Sequence, residues 1–249
     1  MYHNQNLQIK SGAIFICDTH FNDKRRDFYN FLKLVDDGTI KTEQLFLMGD
    51  MFDLLIGEIK YTHIVNKECI ELINKLSRSI EIFYFEGNHD YNLQSIFPLV
   101  TIFPLSSQPL TFNLENIKIK LSHGDVYSGL GYKLYSKLIR FGKFLKVLNF
   151  LDDLVDNKIS KTIFSTQKNK KICKKLINFE QIIKEKIGFY DTTNIEIVCE
   201  GHYHQNREFV FDDVRYKNFS SYACCGTIFV IKIEEKNVNF DEVRVKIDL

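Results

Sequence analysis

The chain has 249 residues, 45% hydrophobic and 26% charged, with three prolines and twelve glycines. That length and balance describe a packed globular protein and exclude a disulfide-stapled miniprotein, a disordered chain and a fibrous one. A formal net charge of +1 excludes a whole-molecule field that would gather nucleic acid, while leaving room for local patches.

Ala13–Cys17 is a short apolar run that stops at Asp18-Thr19-His20, as a buried strand feeding a polar loop does. Asp23–Val35 follows with Phe28, Leu32 and Val35 at helical spacing, broken by Asp37-Gly38. A second apolar run, Leu45–Met48, ends at Gly49-Asp50, and Tyr61–Leu76 again carries a helical pattern. Ile82–Phe85 runs into Glu86-Gly87-Asn88-His89-Asp90. Strand, polar loop and helix in alternation is the rhythm of an α/β protein whose loops emerge on one side. Val100–Phe103 and Ile117–Leu121 are further extended segments, the latter leading to Ser122-His123-Gly124-Asp125. Beyond residue 190, Ile195–Cys199, Glu208–Phe211, Tyr216–Ser220, Thr227–Ile233 and Val238–Ile247 leave no room for helices between them. They predict a second, partly antiparallel sheet sharing a core with the first.

Residues 128–190 differ in character: they carry fourteen Lys or Arg and five Asp or Glu, a net of +9 against −8 for the remainder. Within them, Tyr132–Phe150 interleaves Leu134, Leu138, Ile139, Leu145 and Leu148 with Lys133, Lys137, Arg140, Lys143 and Lys146, and Leu176–Ile187 has a second helical pattern. This reads as a helical cap, 128–190, inserted in a single domain spanning 1–249. A solvated helical insertion and a basic amphipathic surface for anionic membrane both fit the charge pattern. The six cysteines, Cys17, Cys69, Cys173, Cys199, Cys224 and Cys225, lack CxxC spacing and read as reduced, buried small side chains. With neither a signal-peptide pattern nor 18 continuous apolar residues, the expected setting is cytoplasmic.

Five of the seven histidines, His20, His89, His123, His202 and His204, fall at the ends of apolar runs beside glycine or acidic residues. With Asp18, Asp50 and Asn88 they form a set of carboxylate, imidazole and amide oxygen suited to Mn²⁺, Fe²⁺, Co²⁺ or Zn²⁺. The absence of a cysteine cluster argues against a structural zinc knot. Eight candidate ligands exceed the needs of one ion and suit a pair sharing one carboxylate, an arrangement fit for attack on phosphorus.

In this order, Asp18-Thr19-His20, Gly49-Asp50-Met51-Phe52-Asp53, Gly87-Asn88-His89-Asp90, His123-Gly124-Asp125 and Gly201-His202-Tyr203-His204 resemble the five signature blocks of the calcineurin-like metallophosphoesterases. The resemblance implies a four-layer α/β/β/α sandwich with two divalent ions, Mn²⁺ being the expected species. It assigns Asp18, His20 and His204 to the first ion, Asp50 to the bridge, and Asn88, His123 and His202 to the second. His89 takes the place of a phosphate-contacting catalytic histidine, Asp90 is expected to orient it, and Asp53 to fix a ligand or loop by hydrogen bonds.

Within that superfamily, the chain size, the stretch Gly49–Gly57 and the helical insertion after His123-Gly124-Asp125 resemble bacterial UDP-2,3-diacylglucosamine hydrolases. Those enzymes cleave a lipid-linked nucleotide sugar at the inner membrane in lipid A synthesis, giving UMP and 2,3-diacylglucosamine 1-phosphate. The resemblance implies substrate contacts from Lys133, Lys137, Arg140, Leu134 and Leu138, and peripheral contact with an anionic membrane surface. It implies no obligate protein partner and disfavours nucleic acid. The chain departs from that group at His89, where arginine is frequent, and at Asp53, where glutamate stands. A phosphoesterase for soluble nucleotides or other phosphoesters is the alternative enzyme, and a protein-binding scaffold the alternative of another class.

Overall fold

The computed structural model describes residues 6–126, 130–234 and 237–245; the side chains of 130 and 132–135 lie outside that description. In chain order, β1 (Ile14–Ile16), α1 (Asp27–Asp36) and β2 (Gln44–Leu47) are followed by β3 (Leu55–Ile56), α2 (Lys60–Val65) and α3 (Lys67–Leu76). Then come β4 (Glu81–Phe85), β5 (Asp90–Tyr91), β6 (Thr101–Phe103), β7 (Leu110–Leu114) and β8 (Ile117–Ser122). Four helices follow, α4 (Leu130–Ile139), α5 (Gly142–Leu154), α6 (Lys158–Lys168) and α7 (Phe179–Ile187). The chain finishes with β9 (Ile197–Glu200), β10 (Arg207–Phe211), β11 (Val214–Asn218), α8 (Tyr222–Cys225), β12 (Thr227–Glu234) and β13 (Asn237–Arg244).

Two sheets carry the domain, one in the order β13-β12-β1-β2-β4-β6 and the other β10-β11-β9-β8-β7. β1, β2, β4 and β6 are mutually parallel, as are β8, β9 and β11. Strand alternation decides which layer each side chain joins. Ile14 and Ile16 join Phe28, Phe31 and Leu32 of α1 and Cys69, Ile73 and Leu76 of α3. Phe15 points the other way, into a core with Phe46 and Phe83 of its own sheet and Phe112, Ile119 and Leu121 of the other. On the far side, Phe179, Ile183 and Ile187 of α7 pack on Val198 and Tyr216. These clusters make the four-layer α/β/β/α sandwich. At about 25 cal/mol per Å² of apolar area, each fully buried Phe or Leu contributes roughly 1.5–3 kcal/mol, so the central Phe-rich seam dominates cohesion.

Three expectations are corrected. β12 and β13 do not join the second sheet: β12 pairs antiparallel with β1 and closes the first. The Tyr61–Leu76 pattern is two helices broken at Asn66, whose buried amide donates to the carbonyls of Leu54 and Thr62. The Tyr132–Phe150 pattern is likewise split between α4 and α5. α4 to α6 cover a small sheet formed by β3 and β5, where Leu145, Ile139, Leu148 and Phe164 pack on Leu54, Ile56, Ile59 and Tyr91.

Candidate metal centre

The predicted residues gather where parallel strands end, as α/β folds build sites. β1 delivers Asp18 and His20, β2 delivers Asp50 and Asp53, β4 delivers Asn88 and His89, β8 delivers His123, and β9 delivers His202 and His204. Asp18, His20, Asp50, His202 and His204 all have left-handed backbone, φ between 44° and 63°. Each such non-glycine residue costs on the order of 1 kcal/mol or more, and five together at one sheet end mark a site that the fold holds under strain. Glycine is required beside them: a Cβ on Gly87 would stand 2.3 Å from Asp50 Oδ1, and one on Gly49, at φ 89°, 2.3 Å from His123 Nδ1.

The side chains form two overlapping groups. Donor atoms of Asp18, His20 and His204 lie within 4.8 Å of one another, and so do those of Asp50, His123 and His202. Asp50 also meets His20 and His89 at that spacing, which places it between the two. His123 Nδ1 donates to the Met48 carbonyl at 2.9 Å and His204 Nδ1 to the Ile172 carbonyl at 3.0 Å. A carbonyl only accepts, so both rings keep Nε2 available as a lone-pair donor, the arrangement typical of metal-ligating histidine. His123 Nε2, both ring nitrogens of His20 and Asn88 Oδ1 are buried without a hydrogen-bond partner. Polar atoms left so in a buried cluster are costly unless a partner satisfies them, and a cation satisfies the carbonyl oxygen and one lone-pair nitrogen of each ring, so this set fits divalent metal.

Charge in the cluster is paired between carboxylate and imidazole: burial pulls His123 and His204 down, but Asp50 outweighs it at the first and Asp18 at the second, and both rings are held above the ordinary range. Burial pushes Asp50 up, but His123, His89 and His20 outweigh it and hold its carboxyl well below the ordinary range. Burial, then His123, pulls His202 down to about 4, leaving it neutral at physiological pH.

His89 Nδ1 donates to the Asp53 carbonyl at 2.8 Å, and its backbone N–H to Asp50 Oδ1 at 2.9 Å. The Asp53 carboxylate braces the loop, accepting Asn22 Nδ2 and the Arg25 guanidinium and lying 3.6 Å from His20 Nδ1. Asp90 has a different part from the expected one. Its carboxylate accepts the backbone N–H groups of Asp50, Met51 and Gly87 and the Tyr84 hydroxyl, so it shapes the Asp50 loop and leaves orientation of His89 to the Asp53 carbonyl.

Of the residues expected to touch substrate, Lys133 and Leu134 have side chains outside the described residues, while Lys137 and Leu138 are exposed. Arg140 is engaged by protein: its guanidinium donates to the Gly87 carbonyl at 2.8 Å, lies over the Tyr91 ring and approaches Asp125. A cavity of about 430 Å³ lies between α2 and α6 and is lined by Asn22, Tyr61, Val65, Lys161, Phe164 and Lys168. Sequence reading passed over these residues, and over Arg25 and Ile172, because no local pattern marks them. The reading of all six cysteines as reduced and buried is also corrected. Cys17, Cys69 and Cys199 are free and buried and Cys225 is free, but Cys173 and Cys224 are exposed and joined as a disulfide.

The calcineurin-like phosphoesterase family model matches residues 13–206. The chain therefore belongs to the calcineurin-like phosphoesterases, and is a metal-dependent hydrolase. It is 23% identical over 202 residues to the UDP-2,3-diacylglucosamine hydrolase of Psychromonas ingrahamii, covering 78% of this chain and 80% of that one. To the enzyme of the same name from Wigglesworthia glossinidia brevipalpis it is 26% identical over 215 residues, covering 83% and 84%. Among solved structures, an archaeal phosphodiesterase aligns with a TM-score of 0.44 at 14% identity, over 93% of this chain and 99% of that one.

Proposed function

We propose that the chain hydrolyses the pyrophosphate of UDP-2,3-diacylglucosamine to UMP and 2,3-diacylglucosamine 1-phosphate, with two divalent ions, Mn²⁺ being the expected pair, as a step of lipid A synthesis. The observation that carries this reading is how the segment between β8 and β9 sits on the ligand loops. It touches them at Arg140 on the Gly87 carbonyl, at Lys168, whose carbonyl accepts from Arg25, and at Ile172 on His204. On its other side it exposes Phe141, Phe144, Val147, Phe150, Leu151 and Leu154 close in sequence to Lys143 and Lys146. A helical cap that contacts the chemistry on one side and offers apolar and basic side chains on the other suits a substrate with a charged head and acyl chains, drawn from an anionic inner-membrane surface. The relatives named for this substrate support the same reading. No helix among the described residues is long and apolar enough to cross a membrane, so such contact would be peripheral.

When bound, the metal pair would supply positive charge that offsets negative charge on the phosphoryl oxygens and makes water a better nucleophile. In this reading Asp18, His20 and His204 would hold one ion, Asn88, His123 and His202 would hold the other, and Asp50, whose donor atoms lie near both groups, would be shared. The chain's own groups do the positioning. The water oxygen forms the new bond to phosphorus and gives up a proton to solvent, while the bond to the bridging oxygen breaks and that oxygen leaves with the electron pair as part of the sugar 1-phosphate. His89, with Nδ1 held by the Asp53 carbonyl, presents Nε2 to the phosphoryl group and in its protonated form donates to an oxygen there. The cavity between α2 and α6 begins at Asn22, on the loop of His20, and gives room for part of the substrate.

The test is product analysis with metal-loaded protein and UDP-2,3-diacylglucosamine, beside UDP-glucose and a small phosphodiester. The expected result is acyl-dependent release of UMP and the lipid sugar phosphate. Cleavage of the small phosphodiester without cleavage of the lipid would instead direct the chemistry to soluble phosphoesters.

A further inference from the structure

Residues 169–178, between α6 and α7, form an exposed irregular stretch in which Ile172 alone is half-buried, so no apolar anchor fixes their position. They nonetheless supply the carbonyl that sets the ring of His204. At its first residue Lys24 Nζ meets Asn169 Oδ1 at 3.5 Å, and two further attachments lie near Ile172. Gln205 bonds it from the His204 side, accepting Leu176 N–H at 2.9 Å and donating to the Lys174 carbonyl at 2.8 Å. The other is covalent, the disulfide from Cys173, next to Ile172, to Cys224 in α8. α8 is itself moored to the first ligand strand: Tyr222 N–H reaches the Cys17 carbonyl, and Ser221 Oγ and Ala223 N–H reach that of Asp18. The disulfide thus joins the element that orients His204 to the element bonded to Asp18, and those two ligands stand 3.1 Å apart, His204 Nε2 to Asp18 Oδ1.

We propose that the Cys173–Cys224 disulfide is a positioning element for the metal position formed by Asp18, His20 and His204, keeping the Ile172 carbonyl on His204 Nδ1. The inference rests on the two-ion reading above. Losing the partner that orients a ligating histidine weakens metal binding by about 10–100-fold, and the effect falls on the position that His204 serves. The position of Asp50, His123 and His202 is oriented by the carbonyl of Met48, the residue after β2, and is untouched.

The experiment titrates Mn²⁺ alone into the full air-oxidised chain by calorimetry and electron paramagnetic resonance. Wild type, C173S/C224S and H204A are compared, with peptide mapping of the cysteines. Wild type should show the 173–224 link and two binding steps. In C173S/C224S the step that H204A abolishes should weaken by about tenfold or more while the other is retained. Treatment with a phosphine, which breaks Sγ–Sγ, leaves two thiols and carries off a water oxygen as phosphine oxide, should weaken the same step in wild type and change nothing in C173S/C224S. Free thiols at both positions in the oxidised chain, coincident isotherms for wild type and C173S/C224S, or equal weakening of both steps would each overturn the proposal. A wild type without two steps would overturn the two-ion reading and this inference with it.

Discussion

Arg25 grips the carboxylate of Asp53, one guanidinium nitrogen lying 2.6 Å from each oxygen, while its Nε donates to the His20 carbonyl at 3.0 Å. One side chain therefore fixes both the loop that carries His20 and the residue whose carbonyl holds His89. Asp53 stays ionised in this setting: burial opposes it, but His20, Asn22 and Arg25 hold its carboxyl below the ordinary range.

R25A should consequently lower both metal affinity at the Asp18–His20–His204 position and kcat. The expected size is about 10-fold or more, that of losing an outer support of a ligand. R25K should rescue only part, because an ammonium lacks the planar fork that spans two acceptors. Unchanged metal binding and kcat in R25A would remove Arg25 from the site.

Asp50 lies within 4.8 Å of ligands of both groups, so its loss should disturb the pair and not a single ion. D50A is expected to bind fewer than two Mn²⁺ per chain and to lose hydrolysis of every phosphoester tested. The check is metal analysis after gel filtration. Two ions per chain in D50A would refute the bridging role.

Much of the site was legible because its residues follow apolar runs that can only be buried strands: Asp18 after Ile14–Ile16, Asp50 after Gln44–Leu47 and His123 after Ile117–Ser122. Parallel pairing of β1, β2 and β4 in one sheet and of β8 and β9 in the other then aligns the five loops that carry the site. What escaped reading depends on contacts made only in three dimensions. Nothing near Arg25 announces Asp53, and nothing near Ile172 announces His204. β12 was misplaced because β propensity identifies a strand without naming its neighbour, and only pairing with β1 decides the sheet. β7 was missed although Leu110, Phe112 and Leu114 do alternate with Thr111 and Asn113, a period-two signal that was there to use. The disulfide had a signal too, since Cys173 lies in a lysine-rich stretch unsuited to a buried thiol.

Arg140 and the outer residues of α5 should separate in function. The Arg140 guanidinium holds the Gly87 carbonyl, one residue before Asn88, so R140A should reduce turnover of lipid and small phosphodiester alike. F150D/L154D changes exposed apolar side chains and should impair the lipid substrate in vesicles by about 10-fold or more, since two charges would enter the surface proposed to meet the membrane, while sparing the small one. Parallel losses on both substrates in F150D/L154D would deny the outer face a role in lipid use.

Lys186 of α7 is almost wholly buried and is bound on three sides. It donates to the Glu200 carboxylate at 2.7 Å and to the Gly124 carbonyl, and it lies 4.9 Å from the centre of the Tyr203 ring. Glu200 accepts from the hydroxyls of Tyr190 and Tyr216 as well, so its charge is fully engaged. Glu200 and Gly124 each adjoin a ligand loop, Glu200 two residues before His202 and Gly124 one after His123. K186M keeps the volume of the stem but leaves the Glu200 carboxylate buried without its cation, which costs about 3–5 kcal/mol. In a chain of this length that lowers Tm by roughly 10 °C, at about 2–4 °C per kcal/mol. K186M/E200Q removes both charges and should recover a large part of the loss, because the destabilising element is the unpaired carboxylate and not the missing lysine. Thermal denaturation of the two variants decides it: a K186M Tm within a degree of wild type, or a double variant no more stable than the single, would show that the pair does not secure the two loops.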